Sequence, residues 1–516
     1  MSSHISPSYA SDSNAATSSS QQSFANVPSQ QYGSTEKFFQ EGSLPLELIG
    51  LILDLCDYST LLRLAQVNRF FNFYATEVLL IRGSVGWRSE EITISYDSPH
   101  KHQILAALNI RQADRRALAS FSYSFDSERL SHQLDSVTRF LRNRVISIRC
   151  LTLCCYSSTL WTVNEELSFR SKLVILLEAA LAKGCQHLHL SGGIHSVHCH
   201  TPICILPRCA SRKSSRERFP RWFRRCFSQQ MPPCPPAPPL ISFPTPQIPS
   251  PSFLWENPLS FLNSTPSLTK LKIEPNLMLG PCLNSSTLGL LRNQSPTLRK
   301  LTLDATGSHN FSNEFFSTIS LPVLESFTYK SGYVPSRMMK LWYTFLVRNP
   351  SIQKVKFPPM PANDAEYPDV DRYPYPGVDN MKSFLPNLKK LYGHPYTIYW
   401  FLRDPSAFPN LEHVSVEAGN DYVLIPDDVD MVLISLGSRM TDLSSSCNGP
   451  IHLKLKISAD TYFCSWIQYH ITNPSISPIS RLRRVETLSL STRDSDAKLE
   501  VRHLDDLRAL YWSDAV

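Results

Sequence analysis

"PTLRKLTLD", residues 296–304, places Leu298, Leu301 and Leu303 in the pattern apolar-x-x-apolar-x-apolar. Its last two apolar positions alternate with Lys300 and Thr302, as a short strand with one buried face requires. The pattern recurs at Ile148/Leu151/Leu153, Cys185/Leu188/Leu190, Leu268/Leu271/Ile273, Leu324/Phe327/Tyr329 and Ile352/Val355/Phe357. It returns at Leu411/Val414/Val416, Val485/Leu488/Leu490 and Leu507/Leu510/Trp512, while Leu388/Leu391 starts it and Gly393 breaks it. In 516 residues that are 42% apolar, chance supplies many such matches, so the pattern alone decides nothing. A second marker adds weight. A proline stands two residues before the first apolar position in six copies: Pro266, Pro296, Pro322, Pro350, Pro386 and Pro409. In five of the six, the next residue is Ser, Thr or Asn, and successive prolines lie 30, 26, 28, 36 and 23 residues apart.

Between these strands run helical patterns, as at 335–349 and 427–440, the second with Asp427 or Asp428 placed to cap it. Strand, turn and helix repeating at this period is the signature of a solenoid. The chain resembles the irregular leucine-rich-repeat arrays of fungal and plant proteins, although its copies are degenerate and lack the consensus Asn. A non-repetitive α/β domain is the competing architecture. The expected repeat domain spans 83–195 and 261–516.

Two segments stand apart. Residues 1–40 are rich in Ser, Gln, Asn and Ala, too poor in large apolar groups to offset ordering entropy, and are expected to be disordered. Residues 196–260 combine a basic run with ten prolines between Pro232 and Pro251, an extended low-complexity block. Within it, 208–225 holds eight Lys and Arg against one acid, Glu217, and so accounts for the whole net charge of +7. The block reads equally as a genuine insertion or as a translated intron. The thirteen cysteines show no framework spacing, which suits reduced thiols in a cytoplasmic or nuclear protein. No signal peptide and no spanning segment is evident, so no membrane partner is expected. The sequons, among them those at Asn263, Asn284 and Asn310, read as chance matches without a secretory route.

Residues 44–71, "LPLELIGLILDLCDYSTLLRLAQVNRFF", are the most apolar part of the chain. Over 46–56 the apolar positions cover nearly the whole helical circumference, and a helix apolar all round is expected to be buried all round. Pro45 fits a first helical turn, Ser59 is placed to cap a second helix and Asn68 a third. Three short helices in about 40 residues cannot enclose a large core, so part of their surface must face a following domain or another protein.

These residues resemble an F-box. Leu44-Pro45-x-Glu47, then Ile49, Ile52-Leu53, Leu61-Leu62, Leu64 and Val67-Asn68-Arg69-Phe70-Phe71 follow that family's order and spacing. Two departures are Gly50 within the first helix and Phe70-Phe71 where the family usually has Trp. The resemblance covers 41–82. It implies docking on the Skp-type adaptor, and through it the cullin, of a cullin-RING ubiquitin ligase (an SCF complex). The adaptor contacts it implies are Leu44, Pro45, Glu47, Ile49, Ile52, Leu53, Leu61, Leu62, Leu64 and Val67. The repeats that follow would capture a protein substrate. The expected fold is thus α/β: a short three-helix F-box followed by a leucine-rich-repeat-like solenoid.

No nucleotide-binding, hydrolase or zinc-protease motif occurs, and a non-enzymatic adaptor without cofactor or metal is expected. The one cluster of ligand types, His195, His198, Cys199, His200, Cys204 and Cys209, matches no zinc-module spacing. Arg beside Phe219, Trp222, Phe223 and Phe227 in the basic run offers an RNA-binding alternative, a localisation signal or a solvated charge run. A binding scaffold outside any ligase is a further alternative. The acidic stretch 361–380, with Asp364, Glu366, Asp369, Asp371 and Asp379, lengthens one repeat and reads as a solvated loop or, since repeat insertions often carry binding, as a binding element.

Overall fold

A computed structural model describes residues 44–501, apart from 197–264, 358–384, 418–425, 442–449, 493–497 and short stretches between elements. The tail 1–40, most of the block 196–260, the acidic stretch 361–380 and the copy at Leu507 all lie outside the described residues. The chain divides into two compact units, Met1–Cys56 and Asp57–Val516. The first contributes one described element, α1 (Leu46–Leu55).

The second unit begins with α2 (Tyr58–Leu64) and α3 (Arg69–Arg82), then β1 (Glu91–Ile94), α4 (Lys101–Ile110), β2 (Arg116–Phe125) and α5 (Leu130–Arg144). Next come β3 (Val145–Cys155), β4 (Ser157–Trp161), α6 (Val163–Ala182), β5 (His187–Ser191) and β6 (Ile194–Ser196). After the undescribed block follow β7 (Lys270–Ile273), α7 (Asn284–Asn293), β8 (Lys300–Asp304), α8 (His309–Thr318), β9 (Ser326–Lys330), α9 (Arg337–Arg348) and β10 (Lys354–Lys356). The last part holds β11 (Lys390–Gly393), α10 (Pro395–Leu402), β12 (His413–Glu417), α11 (Pro426–Thr441), β13 (Ile451–Ile457), α12 (Thr461–Thr472), β14 (Val485–Thr492) and β15 (Lys498–Val501).

Among the described residues thirteen strands make one sheet, ordered β1-β2-β3-β5-β7-β8-β9-β10-β11-β12-β13-β14-β15, with β4 and β6 as a separate pair. Every neighbouring pair in it is parallel except β14–β15. Spatial order follows chain order, so each strand meets only its predecessor and successor, a solenoid-like α/β arrangement. Register stacks the apolar positions: Leu301 aligns with Leu271 and Phe327, and Leu303 with Ile273 and Tyr329. Leu301 and Leu303 are buried, Lys300 is exposed and Thr302 half-buried, as the alternation predicts.

The proline marker now has a physical reason. In four of the five copies the polar residue after it bonds a backbone carbonyl of the preceding repeat: Ser267 Oγ to Cys185 O (2.9 Å), Ser351 Oγ to Leu324 O (2.9 Å), Asn387 Nδ2 to Pro350 O (3.1 Å) and Asn410 Nδ2 to Pro386 O (2.7 Å), while Thr297 Oγ1 bonds Gln294 O three residues earlier (3.4 Å). At strand entry, Thr269 O accepts the N–H groups of Arg299 and Lys300, and Arg299 O those of Glu325 and Ser326. Two buried amides add to this stitching. Gln294 Oε1 accepts the N–H groups of Ser267 and Leu268, and Asn349 Oδ1 accepts that of Leu321. Between helices and sheet lies an aromatic core in which Trp342 stacks on Phe357 (4.4 Å) and Phe357 on Phe401 (5.1 Å).

Four strands of the sheet, β1, β2, β13 and β15, are not among the repeat copies read from sequence. Helix α2 starts earlier than expected because Asp57, not Ser59, caps it. Asp57 Oδ1 accepts the Thr60 N–H at 2.7 Å, and Ser59 Oγ donates to the same oxygen at 3.2 Å. A carboxylate in that position outcompetes a hydroxyl for the orphan N–H groups of the first turn. Asn68 caps α3 as expected, through Phe71 N–H at 2.9 Å. Among the described residues no helix is long and apolar enough to cross a membrane, and no group of three His, Cys, Asp or Glu is placed to hold a metal.

Candidate protein-docking surface

Helix α1 begins at Leu46 after Pro45, whose φ of −52° suits helix entry and whose carbonyl accepts the Ile49 N–H at 3.1 Å. It ends where Cys56 turns extended and its N–H bonds the carbonyls of Ile52 and Leu53. Of its ten residues only Ile49 and Leu53 are buried. These two lie four apart, on one stripe of the helix.

The rest of the apolar circumference meets solvent. Leu48, Leu51, Ile52 and Leu55 occupy positions i, i+3, i+4 and i+7, a single continuous row. Leu51 is 60% exposed, Leu55 88% and Leu44, just before the helix, 55%. The charges on α1, Glu47 and Asp54, are both acidic and both exposed, so the row has a negative border and no basic one. Fully burying a Leu or Ile is worth ~1.5–3 kcal/mol. Covering several half-exposed ones therefore leaves a large driving force available to whatever packs there. An i/i+3/i+4/i+7 row of aliphatic anchors is the pattern that a helix presents to an apolar groove.

Of the ten contacts implied by resemblance, Leu44, Pro45, Glu47, Ile52 and Val67 are exposed, and Leu62 and Leu64 are half-buried. Ile49, Leu53 and Leu61 are buried. Four exposed residues absent from that set, Leu46, Leu48, Leu51 and Leu55, enlarge the apolar surface of α1. Their signal was the all-round apolarity itself, which carries no phase.

Helices α2 and α3 behave differently, being tied into the sheet unit. Asn72 Nδ2 donates to Ala65 O (2.8 Å) and Ile110 O (2.9 Å), and its Oδ1 accepts the Gln112 N–H (2.6 Å). Arg111 pairs with Glu77 at 2.5 Å and its guanidinium lies over the Phe73 ring. Bonding to the Thr60 N–H holds the Asp57 carboxyl below the usual carboxylate range, so the α2 cap stays charged. Most of the candidate ligand cluster from His195 to Cys209 lies outside the described residues, as does the basic run.

Compared with known proteins, the chain matches no family model and no curated protein, so the likeness of 44–71 to an F-box rests on its residues alone.

Proposed function

We propose that this chain is the substrate-recognition subunit of a cullin-RING ubiquitin ligase. Residues 44–56 dock the Skp-type adaptor, and the sheet unit, an irregular leucine-rich-repeat solenoid, captures a protein substrate. The observation that carries the reading is the exposed row Leu48, Leu51, Ile52 and Leu55 on a helix that opens with Leu44-Pro45-x-Glu47. A soluble chain rarely leaves so contiguous an aliphatic surface uncovered unless a partner takes it. The mechanism is proximity: the chain holds a substrate lysine near a ubiquitin-charged conjugating enzyme and raises effective concentration, contributing no reacting group of its own.

The test is reconstitution. Purified full-length chain is mixed with a Skp-type adaptor and cullin, and the mixture is resolved by size-exclusion chromatography. Co-elution of the three supports the reading, and separate elution of this chain contradicts it. A complex that forms but transfers ubiquitin to none of the chain's captured partners would favour a scaffold outside the ligase.

A further inference from the structure

The face of the sheet not covered by helices carries a row of cations that only the strand register brings together. At the first outward position, β7 through β11 present Lys270, Lys300, Ser326, Lys354 and Lys390, each aligned with the next. His187 on β5 extends the row at one end, and His413 and His452 extend it at the other. Neither this row nor the next outward one contains a carboxylate between β2 and β13. Nearby acids are committed elsewhere: Glu274 pairs with Lys272 at 2.7 Å and Glu417 with Lys356 at 2.7 Å. Among the described residues, Lys270, Lys300, Lys354 and Lys390 belong to no ion pair. The field acts on the flanking imidazoles. Burial first, then Lys270 and other neighbouring cations, push His187 down, and burial, then Lys390 and its neighbours, do the same to His413.

Parallel strands lie ~4.8 Å apart, so the row from β5 to β13 runs about 34 Å. That is one side chain wide and the length of about ten residues of extended chain at ~3.3 Å each. A narrow positive track suits an extended anionic strand. Single-stranded nucleic acid would also need aromatic faces for its bases. Of Phe, Tyr and Trp, the two outward rows from β5 to β13 offer Tyr392 alone, already under the Lys354 ammonium at 4.9 Å, and the imidazoles stand only at the two ends. The neighbouring row is instead hydroxyl-rich, with Thr302 and Thr328 placed to bond peptide groups.

We propose that this sheet face binds an extended, Asp/Glu-rich segment of a partner protein along the Lys270–Lys390 row. The proposal extends the adaptor reading by naming the chemistry of the substrate's recognition segment.

The test is fluorescence anisotropy of the full chain with a labelled peptide of about ten residues alternating Glu and Ser, and with its Gln isostere. Binding of the acidic peptide, absence of binding by the isostere and weakening as added salt shortens the Debye length are expected. The quadruple variant Lys270→Gln/Lys300→Gln/Lys354→Gln/Lys390→Gln should lose about tenfold or more in affinity, which is about 1.4 kcal/mol. Lys272→Gln/Lys356→Gln, at cations already paired, should lose much less. Equal binding of the acidic peptide and its isostere overturns the proposal, and this arm needs no variant to fold. So does full affinity in the quadruple variant, or a single-stranded RNA that binds more tightly and loses binding in that variant. No adaptor takes part, so failure here is distinct from failure of the docking reading, which α1 variants test separately.

Discussion

Helices α1 and α10 are alike in sequence and opposite in environment. Both follow or open on a proline, and both are apolar on nearly every side: "LELIGLILDL" and "PYTIYWFL". Six of the eight residues of α10 are buried, whereas two of the ten in α1 are. A helix apolar all round is ordinarily a core helix, and α10 obeys that rule between β11, β12 and α11. α1 does not, and its exposed apolar surface is what the proposed docking rests on. Composition states that a surface will be covered, while the fold states whether the chain itself does the covering.

The largest expected contrast is truncation. Phe401 is fully buried and stacked on Phe357, so Phe401→Ala should cost ~3–5 kcal/mol in a urea titration. Leu51→Ala, on the open row of α1, should change stability by no more than ~0.5 kcal/mol. Similar losses at both sites would erase the distinction between the two helices.

Acidification should come next in size and act at α10. Burial pushes the imidazole of His394, its N-cap residue, down to about 4. The folded chain keeps His394 neutral, while the unfolded chain protonates it near ~6.5. Stability is therefore fully present above pH ~6.5 and falls as pH drops toward 4, by on the order of 3 kcal/mol. His394→Asn, which retains a capping side chain and does not titrate, should flatten that part of the profile. An unchanged slope in the variant would remove His394 as its cause.

Two helical glycines sharpen the comparison at smaller scale. A Cβ on Gly50 of α1 meets nothing within 4 Å, whereas one on Gly437 of α11 comes within 2.9 Å of Arg481 Cβ. Gly50→Ala should therefore stabilise by ~0.5–1 kcal/mol through helix propensity alone. Gly437→Ala should destabilise, because Arg481 has to move. Thermal unfolding of the two variants gives the signs, and a loss at Gly50 would mean that α1 is covered within the chain.

The repeat was legible wherever proline and a polar residue marked the turn, because Ser267, Ser351, Asn387 and Asn410 make the same kind of repeat-to-repeat bond. Strand β13 lacked the marker: Pro450 stands where an apolar residue precedes the other strands, although "IHLKLKI" itself alternates. The limits of α1 were legible from Pro45 and the apolar run, but its open face was not, since an unbroken apolar circumference has no phase. The α2 cap was misread because Asp57 and Ser59 are both capping residues two positions apart, and only their shared hydrogen bond ranks them. The lysine row was invisible because Lys270, Lys300, Lys354 and Lys390 are separated by whole repeats in sequence and adjoin only through register.

The most direct test of the account is calorimetric titration of a Skp-type adaptor with the full chain and with Leu51→Ser/Ile52→Ser, with circular dichroism on both. The account predicts an unchanged spectrum and thermal midpoint, with affinity down about thirtyfold or more, since removing buried interface anchors commonly costs ~2 kcal/mol or more. Equal affinity for the two proteins would contradict it, and the open row of α1 would not be the docking surface.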